Sequence, residues 1–444
     1  MFWFRRDLRI EDNHGFYRAL QGENKVIPIF IFDSNILDKL PKKDARVEFI
    51  LSALSKIDIA MKRNQCSLGI FHGTPEVIFK KIFKKWPVNK VICNKDYEPY
   101  ASKRDQEIQI LLNKNGIVFE QYKDQVIFEK NEVTKDDGNP YKVYTPYSRK
   151  WLSRLEDHPI ENFPSENLLE KCYNLSILPK CSLSDLGFSK SNLPHPEPVF
   201  NNRVIDEYEA TRNFPSIDKT SRLGTSLRFG TLSIRRAVQK SVSRKNHTFL
   251  KELIWREFFM QILWHFPHTK TDSFKPQYDR IEWRNNEEDF NKWCIGETGY
   301  PLVDAGMREL NQTGFMHNRV RMLVGSFLCK HLLIDWRWGE AYFAEKLFDY
   351  EMSSNVGNWQ WVASTGADSQ PYFRIFNPWS QSKEHDPDAT YIKQWVPELR
   401  GLSAKCIHAW NECYSDENNI KYPAPIVDYK EQREKALKMY KAVV

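Results

Sequence analysis

Short apolar segments alternate with amphipathic stretches over the first 125 residues. Five of these segments are almost continuously hydrophobic: FWF at 2–4, KVIPIFIFD at 25–33, LGIF at 68–71, KVICN at 90–94 and GIVFE at 116–120. Strands that are apolar on both faces are typical of parallel sheets covered by helices on both sides. The pattern therefore predicts a Rossmann-like parallel α/β domain over residues 1–125.

The pattern changes twice further along the chain. Residues 126–200 are polar and rich in proline, with little sustained periodicity, which predicts a long interdomain connector. From residue 201 to 444 the apolar positions recur with helical spacing, for example over 250–266 and 305–336. We predict an all-α second domain there, since a chain of 444 residues is long enough for two separate cores.

Composition and motifs argue against several functional classes for this chain. The eight cysteines are scattered, and no Cys/His cluster has zinc-ligand spacing, so neither disulfides nor a metal site is predicted. The chain carries no Walker-A, GxGxxG, HExxH or GxSxG motif. Its apolar stretches are too short to span a bilayer, and its N-terminus lacks the apolar region of a signal peptide. These observations predict a cytoplasmic protein with no membrane partner.

The net charge of +7 is spread evenly along the chain. Lys and Arg exceed Asp and Glu by four within residues 1–200 and by three in the rest. Neither half has the charge of a general nucleic-acid binder, so any DNA contact must come from local clusters. Tryptophan is distributed unevenly, because 11 of 14 lie at or after Trp255. The two halves therefore differ in chemistry more than in charge.

The first candidate segment is TSRLGTS at 220–226, ahead of a helical run that we expect to start near Leu227. Hydroxyls and backbone N–H groups at a helix N-terminus, beside an arginine, form an anion-binding site. The alternative is an ordinary Ser/Thr helix cap.

The second segment is ELIWRE at 252–257, which lies in a predicted helix. Glu252 and Arg256 are four residues apart and share a helix face, with Trp255 one step round. A surface ion pair next to a core tryptophan would also explain these residues.

The third segment is MHNRVRM at 316–322. Asn318 and Met322 lie four apart on one predicted helix face, with Arg319 adjacent. An amide and a thioether that project together suit a flat heteroaromatic ligand, although methionine more often fills a core.

The fourth segment runs from Asp349 to Trp361 and continues as ASTGADSQPYFRIFNP at 363–378. It contains acids, amides and two indoles, and is too polar for a plain helical core. A buried polar network is the alternative, but such a network needs a partner for every group. We expect a ligand to supply the partners.

These four segments, together with FWFRRDLRIEDN at 2–13 and YPLVDAGMREL at 300–310, resemble the photolyase/cryptochrome family. Within it they are most similar to the class I cyclobutane pyrimidine dimer DNA photolyases. The resemblance implies an N-terminal antenna-type α/β domain and a C-terminal helical domain that binds FAD and DNA. It also implies a carbon–carbon lyase, in which excited reduced FAD donates an electron to a flipped-out dimer and recovers it after the ring splits.

The resemblance assigns FAD binding to residues of the first, third and fourth segments and to a few others. Asn355 would face the flavin N5, where a neutral amide is a poor proton donor. Plant cryptochromes carry Asp at this position, so Asn355 favours repair over blue-light sensing. The cofactor-binding set is Tyr208, Thr220, Ser221, Arg222, Leu223, Gly224, Arg256, Asn318, Asp349, Tyr350, Glu351 and Asn355.

The resemblance also assigns an electron-transfer triad and a lesion site. Trp359, Trp336 and Trp283 match the triad in order from flavin to surface. Enzymes that repair (6-4) photoproducts have His at the positions of Asn318 and Met322, so this sequence favours the cyclobutane dimer. The lesion and DNA set is Arg212, Glu252, Trp255, Asn318, Arg319, Met322, Trp361 and Gln381. Glu252, Asn355 and the three tryptophans are counted as catalytic.

A second, antenna chromophore is left open by the resemblance. Family members that use folate have an acidic residue after a DYEPY-like segment, but here Asp96–Tyr100 is followed by Ala101, which argues against folate. A deazaflavin or no antenna stays open. We expect the protein to act as a monomer on DNA that contains a pyrimidine dimer. The alternative functions are a cryptochrome-like light sensor and, more distantly, a flavin-binding nucleic-acid module without repair activity.

Overall fold

The computed structural model describes residues 1–174, 178–416 and 419–444. The chain divides into two compact units. The α/β unit comprises Met1–Pro140, Ser148–Pro198 and Arg222–Glu257. The helical unit comprises Tyr141–Tyr147, Val199–Ser221 and Phe258–Val444.

The α/β unit is built on a parallel sheet, as the sequence predicts. In the described part of the chain this sheet has five strands in the order β3-β2-β1-β4-β5, and every neighbouring pair is parallel. The strands are β1 Phe2–Phe4, β2 Pro28–Phe32, β3 Gly69–His72, β4 Lys90–Asn94 and β5 Val118–Tyr122. Each overlaps its predicted segment, and the largest difference is at β2, which begins three residues later than predicted.

Helices make up most of the remaining regular structure. In chain order they are α1 His14–Leu20, α2 Ser34–Leu37, α3 Ala45–Lys62, α4 Pro75–Lys85, α5 Pro99–Lys114, α6 Tyr144–Asp157, α7 Asn202–Thr211, α8 Gly224–Phe229, α9 Ile234–Val242, α10 Thr248–His265, α11 Glu287–Ile295, α12 Pro301–Thr313, α13 Asn318–Lys330, α14 Trp336–Lys346, α15 Met352–Val362, α16 Pro378–His385, α17 Thr390–Trp395, α18 Ala404–His408, α19 Trp410–Cys413 and α20 Tyr429–Lys441. Short 3-10 helices cover Ser165–Lys171, Pro215–Ile217, Pro267–Lys270, Pro276–Arg280 and Pro397–Leu399.

The two faces of the sheet carry separate apolar cores. Phe2 and Phe4 of β1 point to one face, where they pack with residues such as Phe16 of α1. Trp3 points to the other face and meets Phe79 of α4 at 5.2 Å between ring centres. This is the alternation of a strand that is buried on both sides.

The segment that follows β1 is anchored by buried charges. Arg9 and Arg235 both pair with Asp124 at 2.8 Å, and Arg235 Nε also pairs with Asp12 at 3.0 Å. All four side chains are nearly inaccessible to solvent. We call these residues the Arg9 cluster. It ties the N-terminal segment to α9 and to the residues just after β5.

The helical unit has its own core around α12 and α13. Buried residues such as Leu310, Leu323 and Phe327 form its centre. A Cβ atom at Gly306 would lie 2.4 Å from a methyl carbon of Val320, so glycine allows the two helices to pack closely.

The structure contains elements that the sequence pattern did not predict. Helix α6 lies within the predicted connector, and its Tyr147 and Trp151 are buried. Pro146 stands in its first turn, where proline is tolerated, although the residue is usually taken as a helix breaker. The predicted run 305–336 is divided at Gly314, which has φ of 69° and follows the last residue of α12.

The described residues contain neither a membrane-spanning helix nor a metal-binding cluster. No helix there has the length and hydropathy needed to cross a bilayer. No group of three His, Cys, Asp or Glu side chains is arranged to hold a metal ion.

Candidate functional site

The predicted site residues fall in both units. The α/β unit contains Arg222, Leu223, Gly224, Glu252, Trp255 and Arg256. The helical unit contains Tyr208, Arg212, Thr220, Ser221, Trp283, Asn318, Arg319, Met322, Trp336, Asp349, Tyr350, Glu351, Asn355, Trp359, Trp361 and Gln381.

Within the α/β unit, Arg256 lies next to the helix of the first candidate segment. Its Nη1 donates to the Gln125 carbonyl at 2.9 Å, and its Nη2 donates to the Leu227 carbonyl of α8 at 3.4 Å. Helix α8 begins at Gly224, three residues earlier than expected, and Leu223 at its N-cap makes no side-chain capping bond. The N-cap position itself is therefore not taken by a Ser or Thr side chain.

Glu257 fixes the part of α10 that carries Glu252, Trp255 and Arg256. Its carboxylate accepts hydrogen bonds from the backbone N–H of Ile127 at 2.7 Å and from the indole of Trp151 at 2.6 Å. Burial raises the pKa of Glu257 to about 7, against the opposing effect of these donors. This anchor was not predicted, because nothing in the local pattern distinguishes Glu257 from a surface acid.

The start of α13 brings Asn318 and Met322 together, as the helical spacing indicates. The Asn318 amide nitrogen lies 3.9 Å from the Met322 sulfur. Asn318 is exposed and Met322 is half-buried, so neither belongs to the core. His317 caps the helix by accepting from the Arg319 N–H at 3.2 Å. Its Nε2 is buried and has no partner among the described residues.

Asp349 is paired with an arginine that the sequence analysis missed. Arg321 Nη2 lies 3.0 Å from one Asp349 oxygen, and Nη1 lies 3.2 Å from the other. The two residues are far apart in sequence, and Arg321 resembles any other cation on a helix. Its position inside the third candidate segment was the only available signal.

Asn355 is held by a second missed residue, Glu340 of α14. The amide Nδ2 donates to the Glu340 carbonyl at 3.1 Å and to its carboxylate at 2.9 Å. Burial raises the pKa of Glu340, although the Asn355 contact lowers it in part. Since both contacts use the NH₂ end, the Oδ1 end points elsewhere and accepts no hydrogen bond from a described residue.

Trp359 lies one turn after Asn355 on α15 and packs against α14. A Cβ atom at Gly339 would lie 2.1 Å from Cη2 of Trp359, so only glycine allows this approach. Trp336 is three residues before Gly339 and therefore shares the face of α14 that Trp359 contacts. The Trp359 ring also meets Phe343 at 5.0 Å and Trp293 at 6.2 Å.

Trp283 and Trp336 lie in two segments that are joined by hydrogen bonds. The Arg284 N–H donates to the Leu333 carbonyl at 2.8 Å. The Asp335 N–H donates to the Asn285 side chain at 2.9 Å. Trp336 is fully buried and Trp283 is half-buried, which agrees with an order from interior to surface.

Two arginines predicted to contact phosphates lie close together in the helical unit. Arg319 donates to the Asn213 side chain at 2.6 Å, and Asn213 directly follows Arg212. Burial and then the charge of Arg212 lower the pKa of Arg319. Two guanidiniums that repel each other are stabilised by an anion. Trp361 and Gln381 are half-buried.

Family models match both the N-terminal and the C-terminal part of the chain. A family model for DNA photolyase matches residues 1–165, and a model for the FAD binding domain of DNA photolyase matches residues 249–442. A deoxyribodipyrimidine photo-lyase of Halobacterium salinarum is 36% identical over 99% of this chain and 98% of its own length. The chain belongs to the DNA photolyase family. The photo-lyase of Escherichia coli is 34% identical, over 100% of this chain and 98% of its own length.

Solved photolyase structures share the fold. A class III photolyase from Agrobacterium tumefaciens superposes with a TM-score of 0.87 at 32% identity, and covers 100% of this chain and 97% of its own. An archaeal photolyase from Sulfolobus tokodaii that contains two FAD molecules superposes with a TM-score of 0.82 at 34% identity. The match covers 100% of this chain and 99% of that chain. The family prediction is confirmed, whereas membership of class I stays a prediction.

The residues present fit FAD. The helical unit offers carboxylate acceptors at Asp349 and Glu351 together with an oriented amide at Asn355. The Asn355 Oδ1 acceptor and the buried Nε2 of His317 lack partners among the described residues. Open polar atoms of this kind call for a ligand.

Proposed function

We propose that this chain repairs cyclobutane pyrimidine dimers in DNA by light-driven electron transfer from reduced FAD. The observation that carries the proposal is the placement of Asn355 and Trp359 on one face of α15. The first presents an amide oxygen whose orientation Glu340 fixes, and the second is an oxidisable indole one turn away. An oriented acceptor next to an electron donor is the arrangement that a photoreducible flavin needs.

The cofactor would be held by residues in distinct roles. Asp349, Tyr350 and Glu351 would bind its polar groups, and Asn355 would accept from the flavin N5–H through Oδ1. Thr220 to Gly224 would meet its phosphates, with Tyr208, Arg256 and Asn318 completing the set. When bound, reduced FAD supplies the light-excited electron that opens the cyclobutane ring and that returns afterwards.

The tryptophans would restore the reduced state of the cofactor. Trp359 would give up an electron first, Trp336 would refill Trp359, Trp283 would refill Trp336, and an external reductant such as a thiol would refill Trp283. Phenylalanine at any of these positions would interrupt electron transfer along the three tryptophans, since its ring is much harder to oxidise than indole.

The lesion would be held by stacking and by amide and carboxylate contacts. Trp255 and Trp361 would stack on the flipped dimer, Met322 would pack against it, and Glu252 and Asn318 would bond to its base edges. A dimer inside the duplex cannot reach a buried cofactor, so it must leave the stack. Arg212, Arg319 and Gln381 would contact the flanking phosphates.

We further propose that the protein acts as a monomer in the cytoplasm. One chain carries matches to both domain models of the family, so no second copy is needed to supply residues. The genomes of the bacterial and archaeal relatives lie in the cytoplasm. Light scattering during size-exclusion chromatography tests the oligomeric state.

The residues at the expected folate position do not favour a folate antenna chromophore. The side chains of Asp96–Tyr100, the segment that would flank a folate, bond within the protein: Asp96 pairs with Arg6, and Tyr100 donates to Asp33 at 2.6 Å. Ala101 is buried, so it offers no polar group to a pterin. These contacts support a protein without folate, and chromatography of chromophores extracted from the native protein tests it.

The repair assay is direct. Purified protein is loaded with FAD, reduced, mixed with an oligonucleotide that contains one thymine dimer, and lit with near-UV or blue light. We expect light-dependent loss of the dimer with no loss in a dark control. A protein that binds FAD but leaves the dimer intact would overturn the repair function and favour light sensing.

A variant of the lesion site sharpens the assay. Trp361→Ala should weaken binding of the dimer by about five- to 150-fold, because stacking of one base on an aromatic ring is worth about 1–3 kcal/mol. FAD content should stay the same. An unchanged affinity for dimer-containing DNA would show that Trp361 is misassigned.

A further inference from the structure

Trp336 has two features in its surroundings that the proposed electron-transfer role does not explain. The guanidinium carbon of Arg337 lies 4.7 Å from the centre of its ring. The indole Nε1 is buried and has no hydrogen-bond partner among the described residues. Arg337 therefore places a positive charge over the face of the ring, and burial leaves the indole N–H proton without an acceptor among the described residues.

Arg337 is fixed in this position by three contacts. Its Nε donates to the Thr271 carbonyl at 2.6 Å, Nη2 pairs with Asp279 at 2.7 Å, and Nη1 pairs with Asp335 at 3.2 Å. The guanidinium therefore has a defined place over the ring. The two carboxylates and partial solvent exposure reduce the effect of its charge without removing it.

Trp283 has neither feature. It is also followed by an arginine, but Arg284 directs its guanidinium to Asp289 at 2.6 Å. No cation is recorded over the Trp283 ring in the part of the chain that the structure describes. The Trp283 ring is partly exposed, so its N–H proton can pass to water.

Whether Arg337 stabilises or destabilises the Trp336 ring depends on the charge of the ring. A neutral indole attracts a cation over its face. An indole that has lost an electron is itself a cation and is repelled by the guanidinium. Two unit charges 4.7 Å apart under the screening of bulk water shift an equilibrium by about fourfold, and by more where water is excluded.

We propose that Arg337 makes Trp336 a transit site at which the oxidised state does not accumulate, so that the electron vacancy passes on to Trp283. The inference rests on the proposed roles of the three tryptophans. An electron leaves Trp359 for the light-excited cofactor, Trp336 refills Trp359, and Trp283 refills Trp336. Trp283 then loses its N–H proton to water, and an added thiol restores it by giving one electron and one proton.

The test isolates Trp336 by blocking the step beyond it. In a Trp283→Phe background the vacancy is shared between Trp359 and Trp336, and the charge-separated state decays mainly from Trp359. Arg337→Gln should stabilise the vacancy on Trp336 and lengthen the lifetime of the tryptophan radical by about fourfold. Transient absorption after a flash on protein with oxidised FAD measures this lifetime.

Arg284→Gln in the same background is the matched control. It removes the same charge from the residue after a triad tryptophan and breaks a similar ion pair, but Arg284 has no recorded contact with an indole ring. Its lifetime should equal that of the background. Arg337→Lys keeps the charge and should also stay near the background.

Two results would overturn the inference. One is an Arg337→Gln lifetime equal to the background, and the other is an equal lengthening in Arg284→Gln. Failure of the proposed triad gives a different result, because no long-lived tryptophan radical would form even in the unmodified protein. Thermal unfolding of both glutamine variants identifies any effect that comes from misfolding.

Discussion

The Arg9 cluster and the site on α14 and α15 are both rich in buried polar groups, but they are completed in different ways. In the cluster, Arg9, Arg235, Asp12 and Asp124 satisfy one another within 3.2 Å. On α15, Asn355 has only its NH₂ end occupied, and in its neighbourhood Trp336 Nε1 has no partner among the described residues.

The difference separates structure from function. A charged network that is complete within the protein stabilises the fold and needs no ligand. A polar group that is held in place at one end and open at the other is prepared for something that binds. We therefore expect variants in the cluster to change stability, and variants on α14 and α15 to change the chemistry of the cofactor.

The largest effect should come from breaking the cluster. Asp124→Asn leaves two buried guanidiniums without their shared carboxylate, and the free energy of unfolding should fall by about 3–5 kcal/mol. Asp137→Asn, at an exposed position of the same unit, is the control and should change stability by less than about 0.5 kcal/mol. Thermal and urea unfolding measure both, and equal losses would contradict the account of the cluster.

The same variant has a defined pH dependence. Burial raises the pKa of Asp124, but Arg9 and Arg235 outweigh it and lower the value from 3.8 to about 2. A carboxyl group with a lowered pKa stabilises the fold above its unfolded value and loses that contribution as the pH falls through its folded value. The stability gap between the unmodified protein and Asp124→Asn should be full above pH 4 and shrink towards pH 2.

The next largest effect concerns the tryptophans. Trp336→Phe removes the middle donor, so photoreduction of oxidised FAD should slow by more than an order of magnitude. Repair by chemically reduced protein does not depend on this step and should be affected far less. Absorption changes under steady light and the dimer assay measure the two quantities. Equal loss of both would show that Trp336 supports the fold rather than electron transfer.

A smaller effect is expected at Asn355. Asn355→Leu removes the oxygen that would accept from the flavin, and one hydrogen bond is worth about 0.5–1.5 kcal/mol, or about two- to tenfold. The reduced cofactor should reoxidise in air faster by that factor. Asn358→Ala is the matched control, because Asn358 is an exposed amide on the same helix and, among the described residues, its side chain bonds only to the Ser354 carbonyl, at 2.7 Å. The two variants should differ, and identical rates would contradict the assignment of Asn355.

The smallest effect is expected for DNA binding. Arg319→Gln should reduce the slope of log K against log salt by about one, because one phosphate contact and its released counterion are lost. The preference for dimer-containing over undamaged DNA should change little. Binding titrations at several salt concentrations measure both, and an unchanged slope would exclude a phosphate contact.

The sequence predicts the fold well because the strands have little freedom. Neighbouring residues of β2 such as Ile29 and Phe30 are buried on opposite faces of the sheet, and a parallel α/β arrangement accommodates apolar runs of that kind. Helix α6 was missed because Pro146 and the polar surroundings obscured the spacing of Tyr147 and Trp151.

The site was only partly predictable. Asn318 and Met322 are four residues apart, so helical geometry alone places them together. Glu340 and Arg321 reach Asn355 and Asp349 across distant parts of the sequence, and only the packing of the helices reveals these contacts. The same holds for Gly339, whose importance depends on the indole of Trp359 against it.

The most direct test of the contrast measures FAD affinity and thermal stability together in Asp349→Asn and Asp124→Asn. We predict that Asp349→Asn weakens FAD binding by about tenfold or more while its melting temperature stays close to normal, because its pair with Arg321 is partly exposed. Asp124→Asn should have a lower melting temperature but should bind FAD normally while it is folded. Equal weakening of FAD binding in both variants would contradict the division between a self-satisfied cluster and a ligand-facing site.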